Sequence, residues 1–252
     1  MLRGEEQQLA LASISVMNDD RKPLTTACSG SEVDAFLEKL AAAPARADAA
    51  RGRLLFGLDA TASRQPTWDR AAHIQSQMFT AAAAVGGLKI QLCFYRGFGE
   101  FRVSPWTSQA AELVRMMSSV SCRAGETQIR KVLQHAVNEA QKQRVGALVF
   151  VGDCVEENID ALATIAGQLG TVAMPAFMFH EGRDPLAAYA FKEIARLSKG
   201  AYCQFDAGSA EALRNLLCAV AVYAAGGRAA LDRLAMTGDR AVKQIAHQMQ
   251  RR

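Results

Sequence analysis

Residues 54–63 read LLFGLDATAS, and this stretch decides the fold. The apolar run 54–58 is too short for a helix and has the length of a strand that is buried on both faces. It is followed by the carboxylate of Asp59 and by hydroxyls at Thr61 and Ser63. If the backbone stays extended, these three side chains point the same way, because side chains alternate along a strand. The stretch therefore predicts a buried strand that carries three oxygen ligands at its carboxyl end.

The rest of the chain alternates strand-length and helix-length segments. Further short apolar runs predict strands at 90–95, 147–151, 172–179 and 201–205. Helix-length segments lie at 66–85, 108–120, 128–143, 159–169, 185–197 and 209–224. The turn Gly97-Phe98-Gly99 leaves no room for a helix before the run 101–106, which indicates a hairpin. We expect a Rossmann-like, doubly wound α/β fold, in which a mostly parallel central sheet of about six strands has one antiparallel edge strand and helices on both faces.

The two ends of the chain differ from its middle. Residues 1–52 are polar and alanine-rich, and they predict one helix followed by a linker. Residues 53–227 carry the alternating pattern and predict a single α/β domain. Residues 228–252 predict a helical tail of one or two exposed helices, broken near Thr237-Gly238-Asp239.

Composition narrows the classes of function. The formal net charge of +4 is mild and the basic residues are mixed with acids, so nucleic-acid binding is not expected. The six cysteines form no C-x-x-C pair, which argues against a zinc or thioredoxin-type site. The first apolar stretch, 9–17, follows two acids rather than a basic segment, and no run is long enough to span a bilayer. We expect a cytoplasmic protein with reduced thiols and no membrane association.

Oxygen-bearing side chains follow two predicted strands and precede one predicted helix. Asp153 comes just after the run 147–151, and Thr127 lies at the start of the helix 128–143. Ligands of open parallel sheets bind at the carboxyl ends of strands, where the winding of the sheet reverses. Any one of these residues alone is more often a helix N-cap, so the prediction rests on the joint pattern. The candidate metal ligands are Asp59, Thr61, Ser63, Thr127 and Asp153.

Two carboxylates and three hydroxyls form an all-oxygen ligand set. Such a set suits a hard divalent cation, with Mg²⁺ as the expected ion and Mn²⁺ or Ca²⁺ as alternatives.

The order D-x-T-x-S, a later Thr at a loop-to-helix junction and then an Asp after a strand resembles the metal-ion-dependent adhesion site of von Willebrand A domains, here of a bacterial intracellular type. The resemblance runs from about residue 53 to residue 224. The sequence departs from the family pattern in two places. Thr61 stands where the family has Ser, and Gly152-Asp153-Cys154 stands where the family has T-D-G or S-D-G.

The resemblance implies a role for each ligand. Thr61, Ser63 and Thr127 would contact the metal directly or through one water, and Asp59 and Asp153 would bind the metal or hold its waters. One coordination position would remain for the Asp or Glu of a partner protein.

We therefore expect a metal-dependent protein-binding module and not an enzyme. The partner would present an acidic side chain, and an AAA+ ATPase or another component of a multi-protein system is a candidate by family-level analogy. The resemblance also implies that a change in the ligand set displaces the last helix, 209–224.

Two alternatives stay open. The first is a Mg²⁺-dependent, phosphatase-like enzyme with Asp59 as nucleophile, although Thr61 replaces the second acid of its D-x-D motif. The second is a metal-free scaffold or assembly subunit.

Other residues near this edge of the sheet have weaker claims. Each also has an ordinary structural explanation. This is a solvated helix start for Glu156 and Glu157, and a plain loop for His180, Glu181 and Asp184. It is core packing for Trp68, and a free thiol for Cys122 and Cys154.

Overall fold

The computed structural model describes residues 52–66, 68, 88–205, 210–237 and 240–250. The predicted N-terminal helix, most of the predicted helix 66–85 and the predicted break at 238–239 lie outside these residues.

Within the described residues, six strands form one central sheet. They are β1 (Arg53–Asp59), β2 (Lys89–Arg96), β3 (Glu100–Val103), β4 (Ala147–Gly152), β5 (Ala176–Glu181) and β6 (Ala201–Phe205). Their order across the sheet is β3-β2-β1-β4-β5-β6. Only the pair β2 and β3 is antiparallel, and the other neighbours run parallel. The predicted Rossmann-like sheet with one antiparallel edge strand is confirmed.

Helices cover both faces of this sheet. They are α1 (Ala110–Ser118), α2 (Ile129–Lys142), α3 (Ile159–Thr171), α4 (Pro185–Leu197), α5 (Ala210–Thr237) and α6 (Arg240–Gln250). Buried side chains of α1, α5 and α6 share one apolar cluster, and those of α2, α3 and α4 share the other. No helix in the described part of the chain combines the length and the apolar character needed to cross a membrane.

The central strand β1 supplies side chains to both apolar clusters. Leu54, Phe56 and Leu58 face the α1, α5 and α6 side, while Leu55 faces the α2, α3 and α4 side. All four side chains have no exposed surface. Burying one such side chain stabilises the fold by about 1.5–3 kcal/mol. This burial on both faces is why the run contains no polar residue before Asp59.

Two predicted strands have different bounds in the structure. The strand predicted at 172–179 begins only at Ala176, because Val172 caps α3 and Ala173 turns the chain with a φ of 54°. The hairpin strand predicted at 101–106 is Glu100–Val103. Pro105, which has no N–H to donate to a ladder, follows shortly after it.

The C-terminal helices are not exposed, contrary to expectation. Helix α5 bends at Gly227, whose φ of 70° and ψ of −164° are not helical, and then continues to Thr237. Beyond the bend, Leu231, Val242 and Ile245 have at most 1% exposed surface. They belong to the apolar cluster on the α1, α5 and α6 side of the sheet. Apolar residues at helical spacing give α6 one apolar side, and that side completes the core. The division of the chain at residue 227 stays a prediction.

Candidate metal centre

The two predicted carboxylates meet at the carboxyl edge of the sheet. Asp59 ends β1, and Asp153 directly follows β4, the strand next to β1. The winding of the sheet reverses between these two strands, which is where ligands bind in folds of this kind. One ligand atom from each of Asp59, Asp153 and Cys154 lies within 4.8 Å of the other two. Asp59 and Asp153 are thus close enough to share one cation.

Gly152 allows this close approach. A Cβ atom at this position would lie 2.8 Å from Cε1 of Phe150 and 3.4 Å from Cβ of Asp59. A larger residue would have to displace the buried Phe150 ring, so glycine lets the end of β4 pass close to Asp59.

The Asp59 carboxylate is fully buried and held by two donors. Its Oδ1 accepts from the backbone N–H of Thr61 at 2.8 Å, and its Oδ2 accepts from the hydroxyl of Tyr95 at 2.9 Å. Burial raises the pKa of Asp59, although the hydrogen bonds from Thr61 and the charge of Arg64 act in the opposite direction. A carboxylate with this little access to water is costly unless a cation compensates its charge.

Asp153 provides the observation that best fits a cation. Its Oδ1 is buried and has no hydrogen-bond partner among the described residues. Buried polar atoms in native proteins are nearly always paired, so an unpaired one calls for an explanation. An unpaired carboxylate oxygen beside a second carboxylate is the donor arrangement that a hard divalent cation would satisfy.

The hydroxyls of Thr61 and Ser63 also come together, though not by the expected route. The backbone is extended at Thr61, with φ −75° and ψ 164°, but it then enters a 3-10 turn over Ala62–Arg64. The expectation that the chain stays extended through Ser63 is therefore wrong. The turn nevertheless brings Thr61 Oγ1 to 3.0 Å from Ser63 Oγ, with Thr61 buried and Ser63 exposed.

Thr127 is tied to the loop that carries Asp153. Its backbone N–H donates to the carboxylate of Glu156 at 2.9 Å, and its Oγ1 accepts from the N–H of Glu156 at 3.0 Å. These contacts place Thr127 beside Glu156, in the loop that follows Asp153. Its place in the ligand set stays a prediction.

Glu157 caps a helix from outside it. Its carboxylate accepts hydrogen bonds from the N–H groups of Ile129 and Arg130, in the first turn of α2. That turn contains no acid of its own, so Glu157 supplies the negative charge that a helix N-terminus favours. Burial raises the pKa of Glu157. Sequence analysis missed this role because the cap lies 27 and 28 residues away from the groups that it pairs with.

A buried ion pair braces the end of β1 at Asp59, and sequence analysis missed it as well. Nε and Nη2 of Arg64 donate to Oε2 of Glu181 at 3.0 and 2.8 Å. Nη1 of Arg64 donates to the backbone oxygen of Asp59 at 2.8 Å. The Arg64 side chain is fully buried, and its guanidinium carbon lies 5.5 Å from the ring centroid of Trp68. Arg64 therefore connects the end of β1 to the end of β5.

The other residues with weaker claims have structural roles. Trp68 is buried in the core, and its indole N–H donates to the backbone oxygen of Val120. His180 is buried, and its Nδ1 lies 2.9 Å from the hydroxyl oxygen of Tyr202. Asp184 caps α4 by accepting from the N–H of Ala187.

Cys154 places a sulfur beside ligands that were expected to be all oxygen. Burial, followed by the charges of Asp153 and Asp59, raises the pKa of Cys154 to about 12. In the metal-free chain the thiol therefore keeps its proton at neutral pH. Cys154 and Cys122 are both free thiols in the structure.

The structure of the chain is similar to several solved structures. No family model and no curated protein matches the sequence. A von Willebrand factor type A protein from Catenulispora acidiphila is similar with a TM-score of 0.58 and 15% identity, over 69% of this chain and 43% of that one. This chain thus spans less than half the length of that protein.

Two shorter structures match over nearly their whole length. The SpRpn10 VWA domain has a TM-score of 0.53 and 12% identity, over 64% of this chain and 94% of that one. The vWF domain of the type V pili tip protein Mfa5 from Porphyromonas gingivalis has a TM-score of 0.52 and 11% identity, over 67% of this chain and 94% of that one. Together with the strand order and the helices on both faces, these similarities show that the chain has the von Willebrand A fold.

Proposed function

We propose that the chain is a divalent-metal-dependent protein-binding module. The observation that carries the proposal is the buried Oδ1 of Asp153, which finds no hydrogen-bond partner in the described part of the chain and lies beside the buried carboxylate of Asp59. Asp59 and Asp153 would hold the cation together with hydroxyls from Thr61, Ser63 and Thr127. When bound, the cation supplies an open coordination position for the carboxylate of a partner protein.

The donor chemistry favours Mg²⁺, with Mn²⁺ or Ca²⁺ as substitutes. Carboxylate and hydroxyl oxygens are hard ligands, and Mg²⁺ prefers them to sulfur. The thiol of Cys154 lies beside this oxygen set. A softer cation would require that thiol to lose its proton.

The protein residues have separate parts in binding. Tyr95 and the N–H of Thr61 orient the Asp59 carboxylate, and Arg64 fixes the backbone at Asp59. These contacts would hold the ligand side chains in place before a cation or a partner arrives, which reduces the ordering cost of binding.

Protein binding is a better proposal than phosphoryl transfer for this site. A phosphatase of the D-x-D type needs a second acid at Thr61, where this chain has a hydroxyl. The partner would be a cytoplasmic protein that presents an acidic side chain, such as an AAA+ ATPase or another member of a multi-protein system.

Titration calorimetry tests the metal directly. We expect Mg²⁺ and Mn²⁺ to bind to the wild-type chain with one site, and Asp59→Ala and Asp153→Ala to abolish the heat. Asp160→Ala, which removes an exposed acid at the start of α3, is the matched control and should bind like the wild type. Null heats for the wild type would support a metal-free scaffold instead.

A further inference from the structure

The hairpin between β2 and β3 holds an aromatic side chain out in solvent. Phe98 is 82% exposed and lies between Gly97 and Gly99, whose φ angles are 60° and 102°. Residues other than glycine rarely adopt positive φ angles of this size, so the two glycines make this turn possible. The side-chain amide of Gln128 donates to the oxygen of Gly97, and Nζ of Lys131 donates to the oxygen of Gly99. Phe98 is thus presented on an anchored turn.

This hairpin lies at the same edge of the sheet as the metal ligands. A Cβ atom at Gly125 would collide with the backbone of Gly97, so the loop that leads to Thr127 packs directly on the turn. The same loop runs beside Thr61, since the N–H of Arg123 donates to the oxygen of Ala60 at 3.0 Å.

Positive charge is in surplus next to Phe98. Three arginines share the single carboxylate of Glu100, with Arg96 Nε at 3.0 Å, Arg102 Nε at 3.3 Å and Arg123 Nη1 at 3.5 Å. The side chains of Arg102 and Arg123 are 70% and 62% exposed. Exposed ion pairs contribute little to stability, so these two guanidiniums can turn to another carboxylate at low cost.

We infer that Phe98, Arg102 and Arg123, here named the hairpin surface, dock an acidic segment of a partner protein. An apolar side chain of the segment packs on Phe98, and its carboxylates pair with the two arginines. A single exposed apolar side chain is ordinary, but this one combines an anchored turn, surplus positive charge and a position beside the metal ligands. Aromatic residues and arginine are also the side chains that dominate binding energy at protein interfaces. The inference rests on the proposed function and adds the chemistry of the partner.

Peptide selection on the full chain tests the hairpin surface. A random peptide library of about 12 residues, the length of an extended docking motif, is selected on the wild-type chain in Mg²⁺. We expect the enriched peptides to carry Asp or Glu together with an aromatic or aliphatic residue. Their affinity is then measured by fluorescence anisotropy for each variant.

Two variants and one control decide the result. F98S and the double variant R102E/R123E should each weaken binding about tenfold or more, as at an interface hot spot. M236S removes an equally exposed apolar side chain, 82% exposed, from the end of α5, and it should bind like the wild type. Circular dichroism checks that each variant is folded.

The outcomes separate this inference from the proposed function. Full binding by F98S and R102E/R123E, peptides without acids, or no enrichment at all would overturn the inference. Tighter binding of a mixed-sequence single-stranded oligonucleotide, lost in the same variants, would also overturn it in favour of nucleic acid. If binding needs the hairpin surface but survives EDTA and Asp59→Ala, the inference holds and the metal-dependent function fails.

Discussion

The carboxyl group of Asp59 lies where water does not reach it. It has no exposed surface, and Tyr95 and the N–H of Thr61 occupy its two oxygens. Hydrogen bonds of this kind offset part of the cost of burial, yet the pKa of Asp59 is still raised. Without a cation, the folded state therefore loses stability when this group ionises.

The first prediction concerns Asp59→Asn in metal-free buffer. Because the pKa of folded Asp59 lies above its ordinary value of 3.8, the folded chain keeps a proton that the unfolded chain releases. The contribution of Asp59 to stability is therefore full below that value and is lost as the pH rises through the folded pKa. The wild type should lose stability relative to Asp59→Asn as the pH rises above about 4, the ordinary pKa of an aspartate, and urea unfolding at a series of pH values measures this loss. Parallel stability profiles of the two proteins would contradict this.

The second prediction concerns the buried pair of Arg64 and Glu181. Arg64→Met or Glu181→Met should each destabilise the fold by about 3–5 kcal/mol, because each leaves a buried charge without its partner. The double variant should cost much less than the sum of the two, and urea unfolding measures this coupling.

The exposed pair of Arg196 and Glu193 is the control for that cycle. Its coupling energy should be below about 1 kcal/mol. Additive losses at Arg64 and Glu181 would show that the pair does not brace the end of β1 at Asp59.

At the residue scale, the order of residues along the chain predicted which side chains lie at this edge of the sheet, but not the residues that hold them in place. Asp59, Thr61, Ser63 and Asp153 follow strands, so the sequence indicates where they lie. The partners of Arg64 and Asp59 are 117 and 36 residues away, at Glu181 and Tyr95. Pairing over such distances depends on the folded sheet and left no signal in one sequence.

Glycines allow close contacts between the elements around the site, at positions where a Cβ atom would not fit. Gly125 brings the loop before α2 onto the hairpin turn at Gly97, and Gly152 brings the end of β4 close to Asp59. These contacts place the Thr127 loop and the Asp153 loop against neighbouring elements.

The third prediction is that Gly125→Ala separates the loop from the hairpin. The added methyl group would strike backbone atoms, which cannot turn aside as a side chain can. We expect a loss of about 1–3 kcal/mol in stability, the usual cost of overpacking, together with weaker binding of Mg²⁺.

The control is Gly167→Ala in α3, where a Cβ would meet nothing within 4 Å. This change should stabilise the chain by up to about 1 kcal/mol, because alanine favours helix over glycine. An unchanged Gly125→Ala protein in thermal unfolding and calorimetry would refute the close contact.

The lengths of elements were predictable where hydrophobic periodicity continues to the end of the element. It located β1, β4 and β6 to within one or two residues, and the turn Gly97-Phe98-Gly99 indicated the hairpin. It failed at 172–175, where apolar residues form a turn with Ala173 at a φ of 54°. A sequence pattern reports apolar character and not burial, and Val172 and Ala173 are apolar although both are exposed in this turn.

For the whole molecule, the order of strands explains the position of the site. The chain builds the sheet outward from β1 to β2 and β3 on one side, and through β4 to β6 on the other. Such a reversal leaves a crevice at the carboxyl ends of the two middle strands. Asp59 and Asp153 occupy the ends of those two strands, so the topology alone brings distant parts of the chain together.

The C-terminal helix α6 belongs to this packed structure. It lies against β6, where the side-chain amide of Gln248 donates to the oxygen of Tyr202 and accepts from its N–H, both at 3.0 Å. This pairing covers backbone groups of Tyr202 on a strand at the end of the sheet order. The sequence indicated a helix here, but it did not indicate which surface the helix covers.

The fourth prediction tests that role of α6. Ile245 has no exposed surface, so Ile245→Ala should cost about 2–5 kcal/mol in urea unfolding. Lys243→Ala, on the exposed side of the same helix, should change stability by less than about 0.5 kcal/mol. Equal, small effects of the two changes would restore the expectation of an exposed tail.

The most direct test of the metal centre is anomalous diffraction from crystals grown with Mn²⁺. Our account predicts one strong anomalous peak between the carboxylates of Asp59 and Asp153, with the hydroxyls of Thr61 and Ser63 beside it, and no such peak in Asp153→Ala crystals. Wild-type crystals with no peak between those two carboxylates at saturating Mn²⁺ would contradict it.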